Sequence, residues 1–187
     1  MLTEITSEVI PSELAQIVTS VFNTMLGLEV LHCETLQRED HDPLPEPVFE
    51  RCLTSAVRLT GEWEAVVLFQ CDHPQARCFA EQYLGMGSPS KDDPVTASAM
   101  DCAQDSTVDA VIPDVLGELA NMIGGNLKCA LNKGLHLSVP QVVDDDYKSR
   151  FPGFAVRQWL VFHCLAGFFS VAVMLPTGLV SFTGSTN

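Results

Sequence analysis

Ile112 to Gly134 reads I-P-D-V-L-G-E-L-A-N-M-I-G-G-N-L-K-C-A-L-N-K-G, and the reading of this stretch decides the fold. Pro113 stands where a first helical turn tolerates proline and Gly134 where helices end, so the spacing predicts a helix between them. At about 100° per residue, Leu116, Leu119, Ile123, Leu127 and Ala130 fall on one stripe, which is expected to face a core. Asp114, Glu118, Asn121, Gly125, Lys128 and Asn132 fall on another, roughly 80° wide. Glu118 and Asn121 are three residues apart, so a carboxylate and a carboxamide stand side by side. A glycine inside a helix costs about 1 kcal/mol relative to alanine. The pair Gly124-Gly125 therefore predicts close approach by another surface. On spacing alone, the polar stripe is a solvated face.

Composition narrows the field. A chain of 187 residues is long enough to bury a core as one domain. Its formal net charge of −14, with ten Lys and Arg, argues against a phosphate-backbone partner. Seven cysteines without close-set pairs read as small buried hydrophobes in a reducing compartment. The start, M-L-T-E-I-T-S-E, has acids where a signal peptide needs bases. Trp159 to Leu175 is almost wholly apolar, yet it is short for a membrane span and carries His163 and a break at Ala166-Gly167. Two buried strands fit it better.

Further out, Glu8 to Leu28 has Leu14, Ile17, Val18, Val21, Met25 and Leu28 at helical spacing, predicting a first long helix. Val9-Ile10-Pro11-Ser12 matches Val111-Ile112-Pro113-Asp114, which suggests an internal duplication. On that register Gln16 stands opposite Glu118 and Thr19 opposite Asn121, so the first helix lacks the acid–amide pair. Strands are expected at Glu29–Cys33, Cys52–Leu59, Trp63–Cys71, Leu135–Val143, Phe154–Cys164 and Phe168–Leu175. A helix is expected from Pro74 to Leu84, capped by Asp72. Gln37–Pro47 and Asp144–Gly153 read as loops. Residues 87–109 read as a mobile linker, with a short helix near Ala97–Gln104, and 177–187 as a frayed tail.

Asp114 to Lys128, D-V-L-G-E-L-A-N-M-I-G-G-N-L-K, resembles the signature helix of the CheX branch of the CheC/CheX/FliY chemotaxis phosphatases. That family carries Glu-x-x-Asn on a surface helix, here Glu118-Leu119-Ala120-Asn121. Leu59 to Leu68, L-T-G-E-W-E-A-V-V-L, resembles the strand before it. Gly134 to Val143, with S-V-P-Q-V-V, resembles the strand after it. The resemblance covers roughly residues 10 to 176 and implies a single CheX-like domain with its core at about 8–176.

The fold implied is α+β and CheC-like: a mainly antiparallel sheet with two long helices on one face, built from two α-β-β-β repeats. The activity implied is hydrolysis of the aspartyl-phosphate of a CheY-like response regulator. Asn121 would place the attacking water, and Glu118 would pair with a lysine of the regulator. From the stripe itself, Gly125 is expected to admit the partner's backbone and Lys128 to meet its acidic rim, with Asp114 also on the partner-binding face. The resemblance implies no cofactor of the chain's own, with the divalent metal (Mg²⁺) in the regulator. It also implies a cytoplasmic homodimer with neither nucleic acid nor membrane as partner. A rival is a non-catalytic module of the same fold that binds a receiver domain or a signalling adaptor. A weaker one is a small-molecule sensor on the apolar sheet face, for which no polar anchor set is visible.

Other constellations carry less. His32-Cys33, Cys71 with His73, and His163-Cys164 lack zinc-ligand spacing, and strand neighbours point to opposite faces. No cysteine is marked as an activated nucleophile. Asp144-Asp145-Asp146 lacks the alternation and glycine of a calcium loop.

Overall fold

A computed structural model describes residues 5–37, 52–86, 106–131, 134–144 and 147–177. In chain order these form α1 (Ile5–Leu26), β1 (Leu31–Gln37), β2 (Cys52–Gly61), β3 (Ala65–Asp72) and α2 (His73–Tyr83). There follow α3 (Ser106–Leu131), β4 (Leu135–Leu137), β5 (Gln141–Asp144), α4 (Tyr147–Arg150), β6 (Phe154–Cys164) and β7 (Gly167–Pro176). The expected short helix at Ala97–Gln104, most of the Gln37–Pro47 loop, the linker up to residue 105 and the tail from 178 lie outside the described residues.

The seven strands make one sheet in the order β1-β6-β7-β3-β2-β4, with β5 also on β2, and the pairings are antiparallel. Exchanging β1 with β4, β6 with β2, and β7 with β3 returns the same order read backwards. The displacement that carries Pro11 onto Pro113 also carries β2 onto 154–163 and β3 onto 167–174, which are β6 and the body of β7. The expected duplication is therefore visible in α1 and α3 and in the strand order of the sheet. Each half also lends its first strand to the other: β1 pairs with β6, and β4 with β2.

All three longer helices pack on one face. Leu14, Val18, Val21 and Phe22 of α1, Ala76 and Phe79 of α2, and Leu116, Leu119, Ile123 and Leu127 of α3 share one cluster with Val57, Val67, Phe69, Phe162 and Phe169. At its centre Phe22 stacks on Phe169, ring centroids 4.4 Å apart, and meets Phe79 edge-on at 5.3 Å. Offset and edge-on contacts are the arrangements that ring quadrupoles favour. The opposite face carries a smaller cluster of Ala56, Val66, Leu68, Trp159, Ala172 and Met174, over which α4 lays Tyr147.

Several boundaries differ from expectation for local reasons. α3 starts at Ser106, so Pro113 lies inside it, as Pro11 lies inside α1. Val108 is buried and Arg77 of α2 grips Asp109 at 3.0 Å, and these contacts extend the helix in front of the proline. Ala130 is exposed, because the last turn of α3 has no fully buried residue. The Leu135–Val143 strand is split, since Pro140 has no N–H to give to β2. β1 starts later than expected and has a bulge between His32 and Glu34. The loop at 144–153 contains the single turn of α4. The Asp72 cap is present in full: its carboxylate accepts from Gln75 N–H at 2.8 Å, and the Asp72 N–H donates to the Gln75 side chain.

The glycine pair in α3 resolves into two unequal positions. A Cβ on Gly124 would stand 2.6 Å from Val57 Cγ2 and 3.1 Å from Leu137 Cδ1, whereas one on Gly125 would meet only Leu137 Cδ2 at 4.0 Å. The close approach is made by the protein's own β2 and β4, at Gly124. Gly124→Ala should accordingly destabilise by about 1–3 kcal/mol through overpacking, with partial recovery when combined with Val57→Ala. Gly125→Ala should raise stability by up to about 1 kcal/mol. Urea unfolding of the four proteins checks both signs.

Candidate functional site

With its apolar stripe fixed on the sheet, α3 turns the opposite stripe outward. Asp114 and Glu118 are exposed, while Asn121, Gly125 and Lys128 are partly exposed. The structure thus brings all five expected site residues onto one surface. Asn132 lies outside the described residues. Neighbours three or four apart on a helix stand about 5–6 Å apart at Cβ. Glu118, Asn121 and Lys128 make no side-chain hydrogen bond or ion pair among the described residues, in contrast with Asn126, whose amide is spent on the Met122 carbonyl at 2.8 Å. Both members of the acid–amide pair are free to act on something outside the chain.

Asn121 was expected to be exposed, and its partial burial follows from a wall along one side of the stripe. Pro140 Cγ lies 3.5 Å from where a Gly117 Cβ would be, and Leu137 lies against Gly124. On the wheel Gly117 and Gly124 lie together on one side of Asn121, about 40° and 60° away, so the β4–β5 link borders that side of the amide, whereas Glu118 is about 60° away on the other, open side. Sequence reasoning missed this link as part of the site. Pro140 inside a strand pattern was the available signal, since it marks an interruption.

The duplicated helix α1 does not repeat the chemistry. Gln16 is exposed, but Thr19 donates its hydroxyl to the Ala15 carbonyl at 2.9 Å and is committed to its own helix. A shallow groove of about 610 Å³ runs beside it, lined by Ala15, Gln16, Thr19, Ser20, Asn23, Val30 and Leu31.

Nothing among the described residues gathers three His, Cys, Asp or Glu for a metal ion. The buried thiols are poor nucleophiles. Burial pushes Cys71 well up, helped by the neighbouring Cys52, Asp72 and Cys164. Burial also raises Cys78, with Glu81 adding to it, and Cys164, where backbone hydrogen bonds from Ala166 and Gly167 partly oppose the rise. On the far sheet face, Gln70 donates to Thr54 Oγ1 at 3.0 Å, a buried polar contact that belongs to the sheet. Among the described residues no helix is long and apolar enough to cross a membrane.

The described residues thus form an α+β sheet protein with an uncommitted acid–amide pair on the outward face of a helix. The family description named Chemotaxis phosphatase CheX matches residues 53–153, over half of the chain, and the chain belongs to that family. Among solved structures, CheX of Desulfovibrio desulfuricans matches at TM-score 0.61 and 18% identity, over 88% of this chain and 97% of that one. CheX of Vibrio vulnificus matches at 0.60 and 16%, over 88% and 97%. The CheX chain of a CheX–CheY–BeF₃–Mg²⁺ complex from Borrelia burgdorferi matches at 0.61 and 15%, over 88% and 95%. No protein of curated function matches.

Thiol burial gives a direct check on this side of the fold. Cys33 and Cys129 are exposed and Cys71 is buried. A maleimide at neutral pH should label the first two within minutes and Cys71 only on unfolding, as read by peptide mass spectrometry. The raised thiol also fixes the sign of the alkaline response. Stability from keeping Cys71 protonated is present below its ordinary value of 9.0 and is lost as pH rises above it.

Proposed function

We propose that this chain hydrolyses the aspartyl-phosphate of a CheY-like response regulator, with Glu118 and Asn121 of α3 as the working pair. The supporting observation is that both members of this pair are uncommitted on an outward helix face in a chain of the CheX family. An acyl phosphate is labile, and the regulator's own Mg²⁺ neutralises the phosphoryl oxygens. The phosphatase has to place one water in line with phosphorus. Orientation of that kind can be worth several kcal/mol. The Asn121 amide suits it: its oxygen accepts from the water while its nitrogen donates toward a phosphoryl oxygen. Glu118, on the open side of the stripe, pairs with a regulator lysine and sets how the helix enters. Asp114, Gly125 and Lys128 complete the contact face, with Lys128 toward the acidic rim and Gly125 admitting the partner's backbone.

The unit is a single CheX-like domain acting in the cytoplasm, where its regulator is found. It pairs as a homodimer through an open sheet edge, for which β1 is available with Leu31 68% exposed.

The test is phosphate release from a phosphorylated CheY-like receiver domain with and without the protein. Asn121→Ala should lower kcat about 100-fold or more while leaving binding of the beryllofluoride-loaded receiver within about twofold. Glu118→Ala should weaken that binding by about 2–5 kcal/mol, because a desolvated lysine loses its partner. Near-normal turnover by Asn121→Ala would rule out the water-placing role. Tight binding by wild type without acceleration would make the chain an interaction module. On α1, Gln16→Ala and Thr19→Ala should each leave turnover within about twofold, and a larger loss in a folded variant would reveal a second site.

A further inference from the structure

Gly117 is a glycine that the fold does not require. Its φ is not positive. A Cβ there would meet Pro140 Cγ at 3.5 Å, Pro140 Cβ at 3.6 Å and Val142 Cγ2 at 4.0 Å, all ordinary contacts. Alanine would therefore fit, unlike at Gly124, and would favour the helix. The duplicated helix has that alanine. On the register that sets Thr19 opposite Asn121, Ala15 stands opposite Gly117. Of the two long helices, the one that carries the amide has glycine four residues before it.

Side chains on a helix lean toward its N-terminus and lie over the preceding turn. Asn121 thus leans over Gly117 and Glu118, one turn back and about 40° and 60° to either side. Glu118 is exposed, whereas Gly117 is buried, with Pro140 and Val142 against it. Pro140 is fixed there because the chain keeps its pairing with β2 on both sides. Ser138 N–H donates to the Arg58 carbonyl at 2.9 Å, and its hydroxyl accepts from Arg58 N–H at 2.9 Å. Beyond the proline, Gln141 lies in register with Ala56. A missing side chain on the helix and a fixed ring beside it leave a recess under the place where the carboxamide lies. Asn121 is half-buried yet makes no hydrogen bond among the described residues, so packing covers it.

From this we infer that Gly117 and Pro140 are positioning residues: together they form a seat that holds the Asn121 carboxamide in one orientation. The inference rests on the phosphatase reading above and deepens it. An amide that accepts from the water and donates toward the phosphoryl group works only if its plane is fixed. A seat made by contact alone fixes it while leaving its oxygen and nitrogen available.

Gly117→Ala tests this, because its methyl group would fill the seat while the helix gains a better former. For a phosphorylated CheY-like receiver, kcat should fall about tenfold or more with KM within about twofold. The Kd for the beryllofluoride-loaded receiver should likewise stay within about twofold, and the melting temperature should equal or exceed that of wild type. Pro140→Ala removes the wall instead and should lower kcat about three- to fivefold at unchanged Kd. The seat also has a readout in the free protein. By ¹⁵N relaxation the Asn121 side-chain amide should be more ordered than that of exposed Asn23, and both variants should bring it down toward Asn23. Unchanged kcat in both variants, or a wild-type Asn121 amide as mobile as Asn23, would overturn the seat. Weaker receiver binding or a lower melting temperature in step with kcat in Gly117→Ala would make Gly117 a docking or packing residue and overturn it equally. If wild type does not accelerate phosphate release, the phosphatase reading falls, and the relaxation data still decide the seat.

Discussion

The separation between α3 and the sheet is set by a missing methyl group. At Gly124 the helix comes close enough to β2 for Val57 to occupy the place of a side chain. That contact fixes the depth and rotation of α3, because Leu116, Leu119, Ile123 and Leu127 must enter the core while Gly124 lies over Val57. Once the rotation is set, the opposite stripe has to face out. A larger residue at this position would lift the helix and turn the pair Glu118–Asn121 relative to the β4–β5 link. The same glycine thus serves packing directly and the site indirectly.

Duplication explains why a chain of this size has two long helices on one face and a sheet that reads alike from either edge. It also leaves room for the two long helices to differ in their outward residues, with the acid–amide pair on α3 and not on α1. The halves share apolar positions and internal prolines, which maintain the fold, whereas their outward stripes have diverged. At the positions that match Glu118 and Asn121, α1 has Gln16 and Thr19, and Thr19 bonds its own backbone. A hydroxyl turned back on its helix cannot orient a water elsewhere. Since each half supplies the other's edge strand, the half without the acid–amide pair remains necessary to hold the half that carries it.

Much of this was legible in the residues. The period of α3, the Asp72 cap and the β6–β7 hairpin with its turn at Ala166 are local features, dictated by neighbours in sequence. The Glu118–Asn121 pair was legible for the same reason, because spacing on a helix is enough to place both side chains on one face. What failed to show was tertiary. Pro113 looked like a helix start until Arg77 and the burial of Val108 drew the helix further forward. Gly124 and Gly125 looked equivalent until β2 came up against one of them. The role of Ser138 depends on Arg58, which is far away in sequence, so no local pattern could announce that the link borders the site.

The account's central claim is that the free stripe of α3 is the surface that enters the regulator. A structure of this protein bound to a beryllofluoride- and Mg²⁺-loaded CheY-like receiver tests it most directly. The account predicts the Asn121 carboxamide within hydrogen-bond reach of a water in line with beryllium, Glu118 against a receiver lysine, and α1 free of contact. A receiver seated in the groove beside Gln16 and Thr19, or on the sheet edge, with Asn121 open to solvent, would contradict it.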